Sequence, residues 1–196
     1  MTEIQKREIL RKLIHVCFLI IPFSYRYLFL SNKKTFFLVL GPLTLISLII
    51  DIGRLKHPTF RKIFHDLVGI LLRNHELNNI TGATYMMISS AICIAVFPAN
   101  IAFISLGFLA IGDSLASIVG IPFGKRKIFE TDKSVEGTIA CFVGTFIFAL
   151  IFINPIIAFL GALTASVAEV SKISIDDNIK IPIASGFVMS LANMFF

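Results

Sequence analysis

The chain has 196 residues, 56% of them hydrophobic and only 15% charged, with 20 Phe, no Trp and a formal net charge of +6. Its mean hydropathy is +0.87, whereas a soluble domain is about 45–50% apolar and about 25% charged. These values exclude disorder, a coiled coil and an ordinary cytosolic enzyme. They predict a polytopic membrane protein whose excess of Lys and Arg sets orientation rather than binding nucleic acid.

A helix needs about 20 mostly apolar residues to cross the hydrocarbon core. In chain order, apolar runs at 13–30, 35–53, 80–98, 100–121, 136–153, 155–171 and 180–196 meet that test. Residues 1–21 resemble a signal peptide, but no small-residue cleavage site follows and Pro22 and Arg26 interrupt, so the segment reads as a retained first span. Connections are short except for 54–79, and no internal repeat stands out. The expected fold is all-α: one integral membrane catalytic domain over 1–196, a transmembrane helix bundle of about seven spans. With the N-terminus inside, fifteen of the 18 Lys and Arg fall on the inner side. Arg26, Lys33 and Lys34 remain outside, which fixes an N-in, C-out topology. The same topology places all 12 acids on the inner side, Glu3, Glu130 and Asp132 among them. Orientation does not require that, and chemistry at the cytoplasmic face explains it.

Segment 57–75 differs from the spans. Phe60, Ile63, Phe64, Leu67, Ile70 and Leu71 recur at helical spacing, with Arg61, Lys62, His65, Asp66 and Arg73 between them. It reads as an amphipathic helix on the inner leaflet, the alternative being a solvated loop helix. The three cysteines, Cys17, Cys93 and Cys141, sit in apolar runs without CxxC or Cys/His spacing, which argues against zinc or disulfides. Asn79-Ile80-Thr81 is a glycosylation sequon, but the topology puts it inside.

Four constellations carry chemistry. Arg11, Lys12 and His15 stand at i, i+3 and i+4 on one side of the first helix, two cations and an imidazole that can bind phosphate and handle a proton. Their alternative role is topogenic. Gly112-Asp113-Ser114-Leu115-Ala116-Ser117-Ile118-Val119-Gly120 places a carboxylate about 12 Å below the interface, at 1.5 Å per residue. An intramembrane Asp is functional by default, and metal ligation would explain its charge. Small neighbours allow close packing or ligand approach. Gly124-Lys125-Arg126-Lys127 runs toward Lys133-Ser134-Val135-Glu136-Gly137, where glycines let the backbone approach phosphate. The spacing and the Arg after Lys exclude a Walker A loop. Glu169 and Asp176-Asp177-Asn178, followed by Pro182, would complete an oxygen-rich site suited to Mg2+ and a triphosphate. Gly82-Ala83-Thr84-Tyr85 opens the third span and reads as helix packing, the alternative being contact with lipid or nucleotide.

In this order, Arg11-Lys12-x-x-His15, Gly82-Ala83-Thr84, Gly112-Asp113-x-x-Ala116-x-x-x-Gly120, Gly124-Lys125, Lys133-Ser134-x-Glu136-Gly137, Glu169 and Asp176-Asp177-Asn178 resemble the membrane lipid kinases related to dolichol kinase, phytol kinase and CTP-dependent diacylglycerol kinase. The chain is more distantly similar to CDP-diacylglycerol synthases, whose terminal His-Gly-Gly-x-x-Asp-Arg run it lacks. The Asp-Gly-x-x-Ala-Arg run of CDP-alcohol phosphotransferases is absent too. The resemblance implies transfer of a γ-phosphoryl group, usually from CTP, to a polyprenol, a phytol-like alcohol or diacylglycerol.

The implied catalytic set is Arg11, Lys12, His15, Asp113, Glu136 and Asp177. Mg2+ would lie among Asp113, Glu136, Glu169, Asp176 and Asp177. Gly112, Ala116, Gly120, Gly124, Lys125, Lys133, Ser134, Gly137 and Asn178 would contact nucleotide. The base is His15 or a carboxylate. The alternatives are a phosphatidate cytidylyltransferase-like CDP-lipid synthase, and a small ion-coupled transporter using Asp113.

Overall fold

The computed structural model describes residues 3–128, 131 and 133–196, with side chains except those of 3–7 and His75. Glu130, Asp132 and the side chains of Glu3, Lys6 and Arg7, counted above, lie outside that description. The described residues form an all-helical protein; their one β-type pairing is an isolated bridge between Lys127 and Ser134.

Helix α1 (Glu3–Val16) runs on through a 3-10 turn (Cys17–Leu19), α2 (Ile20–Phe23) and a π turn (Ser24–Leu28). Pro22 lacks a backbone N–H and crowds the preceding turn, which accounts for the irregular ladder around it. The first helix thus begins well before the residue 13 expected for the first span. Then follow α3 (Lys33–Lys56), α4 (Pro58–Val68), α5 (Gly82–Val96), α6 (Ala99–Phe123), α7 (Val135–Leu150), α8 (Pro155–Val170) and α9 (Asp177–Ala192). Side chains set several starts: Asn32, Thr81, Ser134, Asn154 and Asp176 each accept from a backbone N–H of the helix that follows, satisfying donors that the first turn leaves open.

Each apolar run coincides with a helix, but lengths differ. Lys33–Lys56 and Ala99–Phe123 are long and apolar enough to cross a membrane, whereas Gly82–Val96, Val135–Leu150 and Pro155–Val170 are shorter apolar helices. Helix α5 begins behind the Thr81 cap, two residues inside its run, and α7 ends three residues short of its run. The 57–75 segment divides into α4, a 3-10 turn at Gly69–Leu71 and another at Asn74–Leu77. Helix α4 turns Phe64 inward beneath the Arg54 guanidinium, 5.2 Å from the ring centroid, and leaves Phe60, Ile63 and Leu67 exposed.

Helix α6 is the hub, packed by α1, α5, α7, α8 and α9. Every residue from Ile101 to Ala110 is buried, and Phe103 and Phe108 form the core with Ala158, Ala162 and Met189 of α8 and α9. The outward faces are apolar as well: Leu45 and Ile49 on α3, Ile147 on α7, Val167 on α8 and Phe187 on α9 are all exposed. A bundle apolar within and without is built for a nonaqueous surround.

Candidate active site

Asp113 lies ten residues before the end of α6, in a stretch rich in small side chains (Gly112, Ser114, Ala116, Ser117 and Gly120). The Lys12 ammonium of α1 pairs with its Oδ2, and both side chains are buried, at 1% and 3% exposure. His15 Nδ1 lies 3.3 Å from the same oxygen. The Ser114 hydroxyl donates to the Lys12 carbonyl at 3.1 Å, fixing α1 against α6. An ion in a low-dielectric interior requires a partner, and Lys12 supplies it. The charge of Asp113 is therefore accounted for by a lysine 101 residues away, where the sequence alone suggested a metal. Arg11 does not join the group: its guanidinium donates to Glu8, on its own helix.

A second charged group closes the other side. The Lys133 ammonium sits 2.5 Å from Glu169 Oε1 at the end of α8 and 2.9 Å from Asp177 Oδ2 in the first turn of α9. Lys180 Nζ reaches Asp177 Oδ1 at 2.9 Å and donates to the Ser171 carbonyl at 2.8 Å. Burial works against the Lys133 charge, but the carboxylates of Asp177 and Glu169 outweigh it and hold this ammonium above the usual lysine range. The next residue, Ser134, is the cap of α7, its Oγ accepting from Gly137 N at 3.2 Å; the cap aims Lys133 inward. The buried Oε2 of Glu169 has no partner among the described residues, nor has His15 Nε2.

Backbone approach shapes the floor. A Cβ on Gly137 would stand 2.5 Å from the Ala116 carbonyl oxygen and 3.2 Å from the Gly120 Cα. One on Gly124 would meet the Gly120 carbonyl oxygen at 2.2 Å and Ser134 Oγ at 2.5 Å. Only glycine permits this crossing of α6, the loop and α7.

These groups surround a cavity of about 700 Å3. Of the residues singled out in the sequence, Lys12, Asp113, Ala116, Gly120 and Gly124 line it, as do Lys133, Ser134, Gly137, Glu169 and Asp177. Others stand apart. Gly112 faces Thr145 and Cys141 of α7. Glu136 accepts from the backbone N–H groups of Lys125 and Arg126, at 3.2 and 3.4 Å, and so shapes the loop from outside. Asp176 caps α9 through Asn178 N, at 2.9 Å. Asn178 packs beside Gly82. The five proposed metal carboxylates do not converge: among the described residues, no three acidic, His or Cys side chains gather as a metal cluster. Glu169 and Asp177 do meet, around Lys133.

The sequence reading passed over three lining residues that matter: Glu8, Arg73 and Thr138. It also passed over a buried network behind the cavity. Asp51 accepts from Arg54 Nε at 2.6 Å and from both the backbone and hydroxyl of Thr81 at 2.9 Å. Arg54 also donates to the carbonyls of Glu76, at 2.8 Å, and Asn79, at 2.5 Å. The i, i+3 spacing of Asp51 and Arg54 on an apolar helix was the available signal.

No known family profile matches the chain, and no solved structure does. Individual relatives are clear. An uncharacterized protein of Methanocaldococcus jannaschii is 33% identical over 189 residues, 94% of this chain and 93% of that one. CTP-dependent diacylglycerol kinase 1 of Saccharomyces cerevisiae is 27% identical over 220 residues, 95% of this chain and 74% of that protein. Dolichol kinase of Schizosaccharomyces pombe is 33% identical over 116 residues, 55% of this chain and 23% of that protein. The named relatives are CTP-dependent diacylglycerol, dolichol and phytol kinases, the group that the sequence motifs resemble. The chain is thus a lipid kinase, a phosphotransferase of membrane lipid metabolism. Within a lipid kinase the cavity has a consistent chemistry: phosphoryl transfer asks for positioning and charge neutralisation more than for covalent catalysis, and cations and carboxylates facing one another across a walled space provide both.

Proposed function

We propose that this lipid kinase transfers the γ-phosphoryl group of CTP to a membrane lipid alcohol (a polyprenol, a phytol-like alcohol or diacylglycerol) at the cytoplasmic face. The observation that carries the reading is the cavity in which the Lys12–Asp113 pair faces Lys133, Glu169 and Asp177. Its support is the naming of relatives as CTP-dependent kinases. The apolar exterior and the one-sided charge support a multi-pass chain of seven spans, N-in and C-out, with the exposed stripe of α4 on the inner leaflet.

In this reading the lipid hydroxyl oxygen attacks the γ-phosphorus. The bond from phosphorus to the β,γ-bridging oxygen breaks, CDP departs, and the hydroxyl proton passes to the His15–Asp113 pair. Lys12 fixes the Asp113 carboxylate. Lys133 neutralises phosphate oxygens, and the glycines at 120, 124 and 137 let the chain approach them. Glu169, through Oε1, and Asp177, through Oδ2, already hold a cation, the Lys133 ammonium, and Glu169 Oε2 has no partner among the described residues. Glu169 and Asp177 would hold Mg2+ in this reading, as hard oxygen donors, while Asp113 is taken up by Lys12. Bound there, Mg2+ would offset triphosphate charge. Glu136 and Asp176 act on the backbone around the site.

The test is incubation of the purified full chain in detergent with Mg2+, γ-32P-labelled CTP or ATP, and a panel of lipid alcohols. Labelled lipid phosphate with release of CDP is expected. Label recovered only as pyrophosphate, with phosphatidate as acceptor, would establish a CDP-lipid synthase instead.

A further inference from the structure

We propose that Arg73 is a binding residue for the nucleotide's phosphates, and that Glu8 is the counter-ion it exchanges for them. This inference rests on the kinase reading above. Arg73 follows α4 and its 3-10 turn, and it lines the 700 Å3 cavity together with Lys12 and Asp113. It also lines a neighbouring hollow of about 340 Å3 that contains Asp176, Asp177 and Lys180. Its side chain thus stands at the boundary between the two spaces, beside both charged groups of the site.

Its backbone is held firmly. Glu76 Oε2 accepts from Arg73 N at 2.7 Å, and Oε1 of the same carboxylate accepts from Gly82 N, at the start of α5, at 2.8 Å. Glu76 N donates back to the Arg73 carbonyl at 2.9 Å. Arg54, buried and paired with Asp51, grips the Glu76 carbonyl. Three buried ions, Asp51, Arg54 and Glu76, are therefore spent on holding a short connecting segment in place. Burying ions is costly, so position matters in this segment.

The guanidinium is held loosely by comparison. Its Nη2 lies 4.0 Å from Glu8 Oε1, beyond hydrogen-bond reach, while Glu8 is engaged by Arg11. The other lining lysines treated above are committed: Lys12 to Asp113, Lys133 to Glu169 and Asp177. With four carboxylates on its wall (Glu8, Asp113, Glu169 and Asp177), the cavity needs a cation that can turn from protein to ligand. An arginine that, among the described residues, faces one distant carboxylate fits that need, because its planar fork binds two phosphate oxygens at once.

The experiment measures CTP binding by equilibrium dialysis with labelled CTP, and lipid phosphorylation in parallel, on full-length protein in detergent. Arg73→Gln is expected to weaken CTP binding about tenfold or more and to raise the CTP KM in parallel, with kcat changed less than about threefold. One charge-assisted hydrogen bond is worth that much. Arg73→Lys, which keeps charge but loses the fork, falls between. Glu8→Gln binds CTP more tightly than wild type. A simple structural ion pair between this segment and α1 predicts otherwise: both neutral variants lower the melting temperature alike and leave CTP affinity at the wild-type value. That result overturns the proposal. If Arg73→Gln melts early, Arg73→Lys decides, and wild-type affinity there removes the guanidinium from the site. Failure of every lipid alcohol to accept phosphate would sink the kinase reading alone, since dialysis reports CTP binding without turnover.

Discussion

The Lys12–Asp113 pair offers a clean separation of structure from chemistry. Each partner is almost fully buried, and removing one partner of such a pair leaves an uncompensated ion, at roughly 3–5 kcal/mol. At about 2–4 °C per kcal/mol for a chain of this size, that is a fall of roughly 6–20 °C in Tm. Asp113→Asn should show the full effect, because Asp113 is the carboxylate paired with the Lys12 ammonium. Lys12→Met should show less, because His15, 3.3 Å from Asp113, can take a proton and supply part of the missing charge. The double variant Lys12→Met/Asp113→Asn buries no ion here and should recover most of the lost stability. Turnover should not recover with it: a proton acceptor is still missing, at a cost of about 10²–10⁴-fold. The assay pairs thermal melting in detergent with CTP-dependent lipid phosphorylation on the same preparations. A double variant that regained wild-type turnover would reduce the pair to packing. One that stayed as unstable as Asp113→Asn would refute the electrostatic account itself.

Gly137→Ala places a methyl 2.5 Å from the Ala116 carbonyl oxygen, so α6 and α7 must part by roughly 0.9 Å to reach ordinary contact. Overpacking of this kind costs about 1–3 kcal/mol, and the cavity floor moves with it; melting should fall by several degrees and CTP KM should rise. Lys133→Gln should lower both stability and CTP affinity. The raised value of Lys133 gives the sign of its pH dependence: its stabilising contribution is whole below the ordinary lysine value of about 10.4 and fades only as pH climbs through the higher folded value. The melting-temperature gap between wild type and Lys133→Gln should therefore be constant from pH 7 to about 10, and a gap that closes across that window would contradict the assignment. Arg54→Met strips partners from Asp51 and from the Glu76 and Asn79 carbonyls. It should destabilise by roughly 3–5 kcal/mol and, by freeing the Arg73 segment, raise the CTP KM; loss of stability with unchanged KM would detach that network from the site.

The helices were legible because an apolar run of this length has few alternatives, and the caps Thr81, Ser134 and Asp176 stand in the sequence where the helices begin. The Lys133–Ser134–Gly137 element was legible for a local reason too: a cap and a close-approach glycine are properties of a few consecutive residues. Asp113, Glu169 and Asp177 could be picked out as costly charges in or near apolar segments. Their partners could not. Lys12 and Asp113 meet across two helices, and nothing in either neighbourhood encodes the other, so the charge of Asp113 was assigned to a metal. Glu136 looked like a ligand because its type and place suited one; its use as an acceptor for two loop amides depends on how the chain turns after Gly124. Arg73 reads from the sequence as a polar position of the amphipathic 57–75 segment, because its place on the cavity wall comes from the folding back of 69–77 onto α1 and α5.

The two ends of the bundle solve the same electrostatic problem in different ways. At the end away from the cavity, Arg26 lies over the rings of Phe103, at 4.7 Å, and Phe152, at 5.1 Å, and donates to Asn100. Lys33 there donates to the carbonyls of Ala95, at 3.0 Å, and Phe97, at 2.9 Å, which close α5. Aromatic faces and open helix-end carbonyls are sufficient partners for cations, so this end needs no acid, and the sequence places none there. The cavity end has open carbonyls as well, and Lys180 uses the one at Ser171. Yet Asp113, Glu169 and Asp177 are added, in or beside the apolar bundle, where each carboxylate carries a desolvation cost. Stability alone would repeat the inexpensive solution at both ends. The buried carboxylates of the described residues gather at this end alone, on the cavity wall (Asp113 and Glu169) or in the network behind it (Asp51 and Glu76), and the same argument predicts that neutral substitutions of Arg26 or Lys33 will change melting but not CTP affinity.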